Sequence, residues 1–264
     1  MTGSPSESSM NRAIDPIWLC ASPSDLSARQ LANNHGLSII VQSETLAIYG
    51  TGGHTIDEGS TKAALADEGY VRYFENAYLS KALSGHARLQ VVQSYFDAVS
   101  SSYIGLVHKG VNAACYEYLF EIARAVNPNF QNCLDFGCGP GTILDNSVST
   151  AVRDVVGWDF SPRMLGIAKS RGLKVLQDDD FWSMARQFQL VLSVFVLHYG
   201  TVSAALLQRI SQHLEVGGVF AANFHKGLGL NDFLSTLDQV TNLVLVAPVS
   251  SSSFGPVVLL MRVV

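Results

Sequence analysis

Three glycines alternate with other residues in Gly137-Cys138-Gly139-Pro140-Gly141, directly after the apolar stretch Cys133-Leu134-Asp135-Phe136. A strand running into such a turn brings backbone within hydrogen-bonding distance of a ligand, because glycine has no Cβ and tolerates positive φ. Thr142-Ile143-Leu144 reads as the start of a helix whose unpaired N–H groups suit a carboxylate or phosphate. Asp159 lies 18 residues beyond Gly141, at the end of Val155-Val156-Gly157-Trp158. A second parallel strand would set that carboxylate beside the glycine turn, where it can accept both hydroxyls of a ribose. Further on, His198-Tyr199 ends the apolar run Leu190–Leu197, and His225 follows Val219–Asn223. An imidazole at a strand end can take a proton near neutral pH.

These residues need a frame. Helical spacing over 110–126 puts Val111, Cys115, Tyr118, Ile122 and Val126 on one stripe, stopped by Asn127-Pro128. A strand at 132–136, a helix from Thr142, a strand at 154–159 and a helix capped by Ser161 with Pro162 in its first turn then make a right-handed β-α-β pair. Strands at 174–177, 190–197 and 219–223 follow, with a helix over 204–214 and a turn at 215–218. A short helix over 231–239 leads to two long apolar runs, 242–248 and 256–264, which read as a hairpin. The glycine spacing G-x-G-x-G is one residue shorter than the dinucleotide fingerprint G-x-G-x-x-G.

Leu134-Asp135-Phe136-Gly137-Cys138-Gly139-Pro140-Gly141 together with Gly157-Trp158-Asp159-Phe160-Ser161-Pro162-Arg163-Met164-Leu165 resembles the first two motifs of the class I S-adenosylmethionine-dependent methyltransferases, the Rossmann-like family with seven strands. The resemblance covers about residues 110–264 and implies an α/β fold. Its sheet is doubly wound and mostly parallel, of seven strands with an antiparallel last strand, and a small α+β or helical N-terminal extension is added. It implies S-adenosyl-L-methionine as cofactor, held by Asp135, Gly137, Gly139, Gly141, Asp159, Phe160 and Met164, with Ser193 and Val194 within the fourth strand. In this family an acidic residue after the third strand receives the adenine amino group, which points to Asp179, with Asp178 or Asp180 as alternatives and Phe181 beside them. Gln189 stands where an aspartate is common. The resemblance implies His198 as a pocket or catalytic residue, with Tyr199 second and His225 third.

The extension is read as a disordered start over 1–13, then 14–109 as a β-α-β-β unit (16–50) followed by a helical cover over the substrate, before the catalytic domain at 110–264. In the β-α-β-β unit, Ser22-Pro23 suits the start of a helix ending at Gly36, and Gly50–Ser60 reads as a flexible glycine-rich linker. Helical spacing is expected over 62–84 and 87–100, with Tyr95, Tyr103 and His108 offered to the substrate alongside His198 and His225.

A chain of 264 residues with a formal net charge of −5 and scattered basic residues has no electrostatic footprint for a phosphate backbone. Nucleic acid is disfavoured, and a homo-oligomer is left open. Cys20, Cys115, Cys133 and Cys138 lack ligand spacing, so no metal is expected and they read as free thiols, Cys138 packing inside its turn. No apolar run reaches the roughly 20 residues of a membrane span, and the Ser-rich start does not read as a signal peptide, so a cytoplasmic location is expected. The expected function is methyl transfer to an O, N or C atom of a small molecule such as a secondary metabolite. The alternatives are methylation of RNA or protein, or a noncatalytic scaffold that binds S-adenosylmethionine.

Overall fold

The computed structural model describes residues 17–52, 55–74, 77–80, 83, 85–106, 109–183 and 186–264. The expected disorder at 1–13 lies outside the described residues, as does His108. The chain divides into two compact units, Met1–Val99 and Ser100–Val264.

In the first unit the order is β1 (Trp18–Ala21), α1 (Leu26–Asn34), β2 (Ser38–Gln42), β3 (Ala47–Gly50), α2 (Glu58–Asp67), β4 (Val71–Phe74), β5 (Ala77–Leu79) and α3 (Gly85–Val99). The five strands form one mixed sheet in the order β2-β3-β1-β5-β4. Residues 17–50 carry β1, α1, β2 and β3 in that order. Helix α1 starts later than Ser22-Pro23 suggested, because the Asp25 side chain accepts the Ala28 N–H at 3.0 Å and caps it there.

The helix expected over 62–84 is corrected. Helix α2 stops at Asp67, Gly69 takes a φ of +80°, and two antiparallel strands follow. The aromatic residues read as a helical stripe instead fall on the two faces of the sheet, Tyr70 and Tyr78 in one core cluster and Tyr73 against the other. The 50–60 segment is only in part a linker, since α2 begins at Glu58 behind an Asp57 cap.

The second unit contains α4 (Tyr103–Leu106), α5 (Lys109–Arg124), β6 (Asn132–Phe136), α6 (Val148–Ala151), β7 (Asp154–Trp158), α7 (Pro162–Ser170), β8 (Lys174–Val175), α8 (Asp178–Ser183), β9 (Phe188–Ser193), α9 (Ala204–Gln212), β10 (Leu214–Asn223), α10 (Leu230–Leu237), β11 (Leu243–Leu245), β12 (Ser250–Ser252) and β13 (Gly255–Arg262). Its sheet runs β11-β13-β10-β9-β6-β7-β8, with β12 also paired to β13. Strands β8, β7, β6, β9 and β10 are mutually parallel, and β13 is antiparallel to β10 and β11.

Alternation along β6 explains the two-layer winding. Cys133 faces a cluster made with Cys115, Leu119, Phe120 and Ala123 of α5, whereas Leu134 and Phe136 face Leu206, Leu207 and Ile210 of α9 and Phe233 of α10. Fully burying a Leu, Ile or Phe side chain in this way stabilises by roughly 1.5–3 kcal/mol. The buried stripe of α5 is turned from the expected one: Val111 is exposed, and Tyr116 and Leu119 are buried in its place. Strand β10 begins earlier than 219, with a register shift between Leu214 and Val219 where a separate turn was expected.

Candidate active site at the carboxyl ends of the parallel strands

Parallel strands deliver their last residues to one edge, and the glycine turn leaves β6 at that edge. Gly137, Gly139 and Gly141 all take positive φ, at +78°, +53° and +80°. The Gly137 and Cys138 N–H groups donate to Trp158 O at 2.7 and 3.0 Å. Asp159, the next residue, completes the staple: its Oδ2 accepts from Gly139 N–H at 2.8 Å and its Oδ1 from Ser161 N–H at 2.8 Å. Each carboxylate oxygen carries a second lone pair.

Two further contacts seat the turn. The Arg171 guanidinium donates to Pro140 O (3.0 Å) and Gly141 O (3.1 Å) while pairing with Asp145 at 2.6 Å. The Ser161 hydroxyl accepts Met164 N–H at 3.1 Å and caps α7, with Pro162 at its start, as the sequence implied. Arg171 was missed, because nothing local marks an arginine at a helix end as a partner for carbonyls some 30 residues earlier.

The segment after the turn differs from expectation. Thr142–Asp145 is a single 3-10 turn, not an α-helix, and α6 starts only at Val148. Asp135 sits on β6 with no exposure, both of its oxygens accepting from the Tyr116 hydroxyl at 2.9 and 3.0 Å. Burial pushes its carboxyl up to about 8; the Tyr116 hydrogen bond opposes that and the Asp159 charge adds to it. Cys138 is closed into the core, 2.7 Å from where a Cβ on Gly157 would stand. Burial raises its thiol well above the ordinary value, so the structure makes it a packing residue.

The second wall is the end of β9. Ser193 is fully buried with its hydroxyl unpartnered, and Val194 is 6% exposed. Phe195 takes a φ of +57°, and Lys226, just past the end of neighbouring β10, takes +53°. Between them the His198 and His225 rings lie 5.7 Å apart, Phe195 meets His225 edge-on at 5.9 Å, and Tyr199 lies 4.1 Å from His198. His198 Nδ1 is buried without a hydrogen-bond partner. Burial and then the nearby His225 bring the His198 pKa down to about 4, so the imidazole is neutral at physiological pH.

The remaining expected site residues have varied settings. Phe181 is a core residue: it is 0% exposed, stacked 3.9 Å from Trp158 and 4.8 Å from His213, and its N–H is bonded to Gln177 O. Asp178 and Asp179 are exposed and Asp180 half-buried in the first turn of α8, where the helix dipole favours their charge. Phe160 packs edge-on against Trp158 at 4.6 Å, and Met164 is 1% exposed. Tyr103 stands over the turn, its Cε1 3.7 Å from where a Cβ on Gly139 would be. Tyr95 belongs to the first unit, where its ring packs edge-on against Trp18 and Phe96. Gln189, the departure from the family pattern, accepts from Gln131 N–H at 2.7 Å at the far end of the strands.

The turn therefore fits a nucleoside-bearing ligand in its own terms: three left-handed glycines, a carboxylate fixed at its mouth, and no room at Gly137 for a side chain beside Val196. Among the described residues no group of three or more His, Cys, Asp or Glu is placed to hold a metal ion, and no helix is long and apolar enough to cross a membrane.

Residues 111–224 match the family model described as a methyltransferase domain. No curated protein sequence matches the chain. Among solved structures, DesVI of Streptomyces venezuelae is 17% identical, covering 62% of this chain and 98% of its own, with a TM-score of 0.49. The sugar N-methyltransferase KedS8 from Streptoalloteichus sp. ATCC 53650 is 27% identical, covering 42% of this chain and 48% of its own, with a TM-score of 0.38. Magnesium protoporphyrin IX methyltransferase from Synechocystis PCC 6803 is 17% identical over 69% of this chain and 99% of its own, with a TM-score of 0.45. The match of the family model falls on the same strands and glycine turn that form this site, and residues 111–224 are similar to a methyltransferase domain.

Proposed function

We propose that the acceptor is a small molecule and that its methylated atom loses a proton to His198. The observation that carries this is the juxtaposition of a partly buried imidazole with the glycine turn: Val196, two residues before His198, packs directly on Gly137. Bound at the turn, S-adenosylmethionine supplies a methyl group on a sulfonium. Asp159 holds the ribose hydroxyls, Tyr103 covers the turn, and the exposed Asp179 or half-buried Asp180 takes the adenine amino group. The protein's main task is to hold the acceptor about 3 Å from the methyl carbon and to exclude water. The neutral His198 accepts the proton as the acceptor is methylated, and Tyr199 and His225 shape its surroundings. The net charge of −5 with scattered basic residues supports a small acceptor over a polynucleotide.

Incubating the enzyme with methyl-labelled donor and a cell extract tests the reading. Label in a metabolite of low mass supports it, and label confined to RNA or protein refutes it.

A further inference from the structure

Asn223 is the last residue of β10 and is completely buried. Its Oδ1 accepts the Phe195 N–H at 2.8 Å, and its Nδ2 donates to Phe254 O at 2.9 Å. Only an amide in this orientation satisfies both groups, since the flipped form sets N–H against N–H and oxygen against oxygen. The Phe254 end of the link is itself anchored. Ser252 Oγ accepts Phe254 N–H at 3.1 Å, and the next residue, Gly255, has no room for a Cβ against the Phe224 backbone. The Phe195 end is the strained one: a φ of +57° is costly for a residue with a Cβ and persists where surroundings over-determine it. Three residues later the same turn carries His198, and at its middle Val196 packs on Gly137.

We infer that Asn223 is a positioning residue for methyl transfer: its side-chain amide ties the left-handed turn after β9 to the β12–β13 loop and so sets where His198 stands relative to the glycine turn. This rests on the reading of His198 as proton acceptor. Alanine would leave the Phe195 N–H and the Phe254 carbonyl without their partner, and aspartate would satisfy the first while placing oxygen against oxygen at the second. In either case the turn can relax to an unstrained φ, and the imidazole loses its fixed, enclosed place.

Imidazole titration followed by NMR in the whole protein tests this, with His213 as internal control, because His213 is fully buried and lies against Phe181 and Arg186. In Asn223→Ala the His198 pKa is expected to rise from about 4 by one unit or more toward the ordinary value, with His213 unmoved. A folded variant in which His198 titrates as before, or in which both histidines move together, overturns the proposal; the second result would make Asn223 a general structural residue. Should Asn223→Ala not fold, amide exchange in the native protein decides. Protection of the Phe195 N–H equal to that of the β9 interior supports the link, and exchange at the rate of an exposed loop overturns it. Full turnover by His198→Ala would remove the proton-acceptor reading alone, since the shift at His198 is measured without any acceptor.

Discussion

Gly137 and Val196 meet so closely that a Cβ on residue 137 would stand 2.7 Å from Val196 Cγ1 and nearer still to Cγ2. The ligand turn and the histidine-bearing turn are therefore one packed object. Gly137→Ala adds this clash to the cost of a φ of +78° and should destabilise by about 2–4 kcal/mol. Urea unfolding would show the lowered midpoint. Adding Val196→Ala should restore only the packing share, because the dihedral penalty remains.

Asp159→Ala removes the acceptor for both Gly139 and Ser161 N–H. Loss of a charged acceptor for two hydroxyls is worth on the order of 2–3 kcal/mol, or about 30- to 150-fold in donor affinity. Calorimetry on the folded variant should find that drop, and unchanged affinity would separate Asp159 from the ribose. Asp159→Asn keeps one acceptor oxygen and should fall between.

His198→Ala should lower kcat by about 10²- to 10⁴-fold and leave donor affinity near wild type. With a pKa of about 4, the wild-type imidazole is already neutral at pH 6, so the rate should stay flat through neutral pH and fall only as the pH approaches 4. A loss confined to KM would assign His198 to acceptor binding.

Stability should respond to pH through Asp135 and His198 with opposite signs. The folded Asp135 carboxyl keeps its proton up to about pH 8, whereas the unfolded one releases it near 3.8, so its contribution is full at low pH and is lost as pH rises through 8. His198 is protonated below about 6.5 when unfolded and only below about 4 when folded, so it penalises the fold as pH drops through that window. The two trends oppose one another between pH 4 and 6.5, and Asp135 alone remains between 6.5 and 8. Denaturation at those two pH values should show wild type losing stability on going up and Asp135→Asn losing less, since asparagine still accepts from the Tyr116 hydroxyl.

What could be read from the sequence was what local chemistry dictates. Glycines at alternate positions, an aspartate at a strand end and Ser161-Pro162 before a helix each impose one backbone geometry, and the structure has those geometries. Residues 70–79 misled because aromatics at mixed spacing satisfy a helical stripe and a two-faced strand pair alike; Gly69 was the discriminating signal. Phe181 was placed beside the cofactor because it follows three aspartates after a strand, yet one step along α8 turns its ring under Trp158. Asn223 and Tyr116 could not have been found, since their partners lie 28 and 19 residues away and are met only in the folded chain.

All four cysteines are free and buried, Cys20 in the first unit and Cys115, Cys133 and Cys138 in the second. Each unit thus carries its own silent reporter: a thiol reagent can reach Cys20 only when the first sheet opens, and the other three only when the second unit does. The protein can serve as its own two-channel clock for unfolding, and a single cysteine introduced on the surface could be labelled in the native state without removing any natural one.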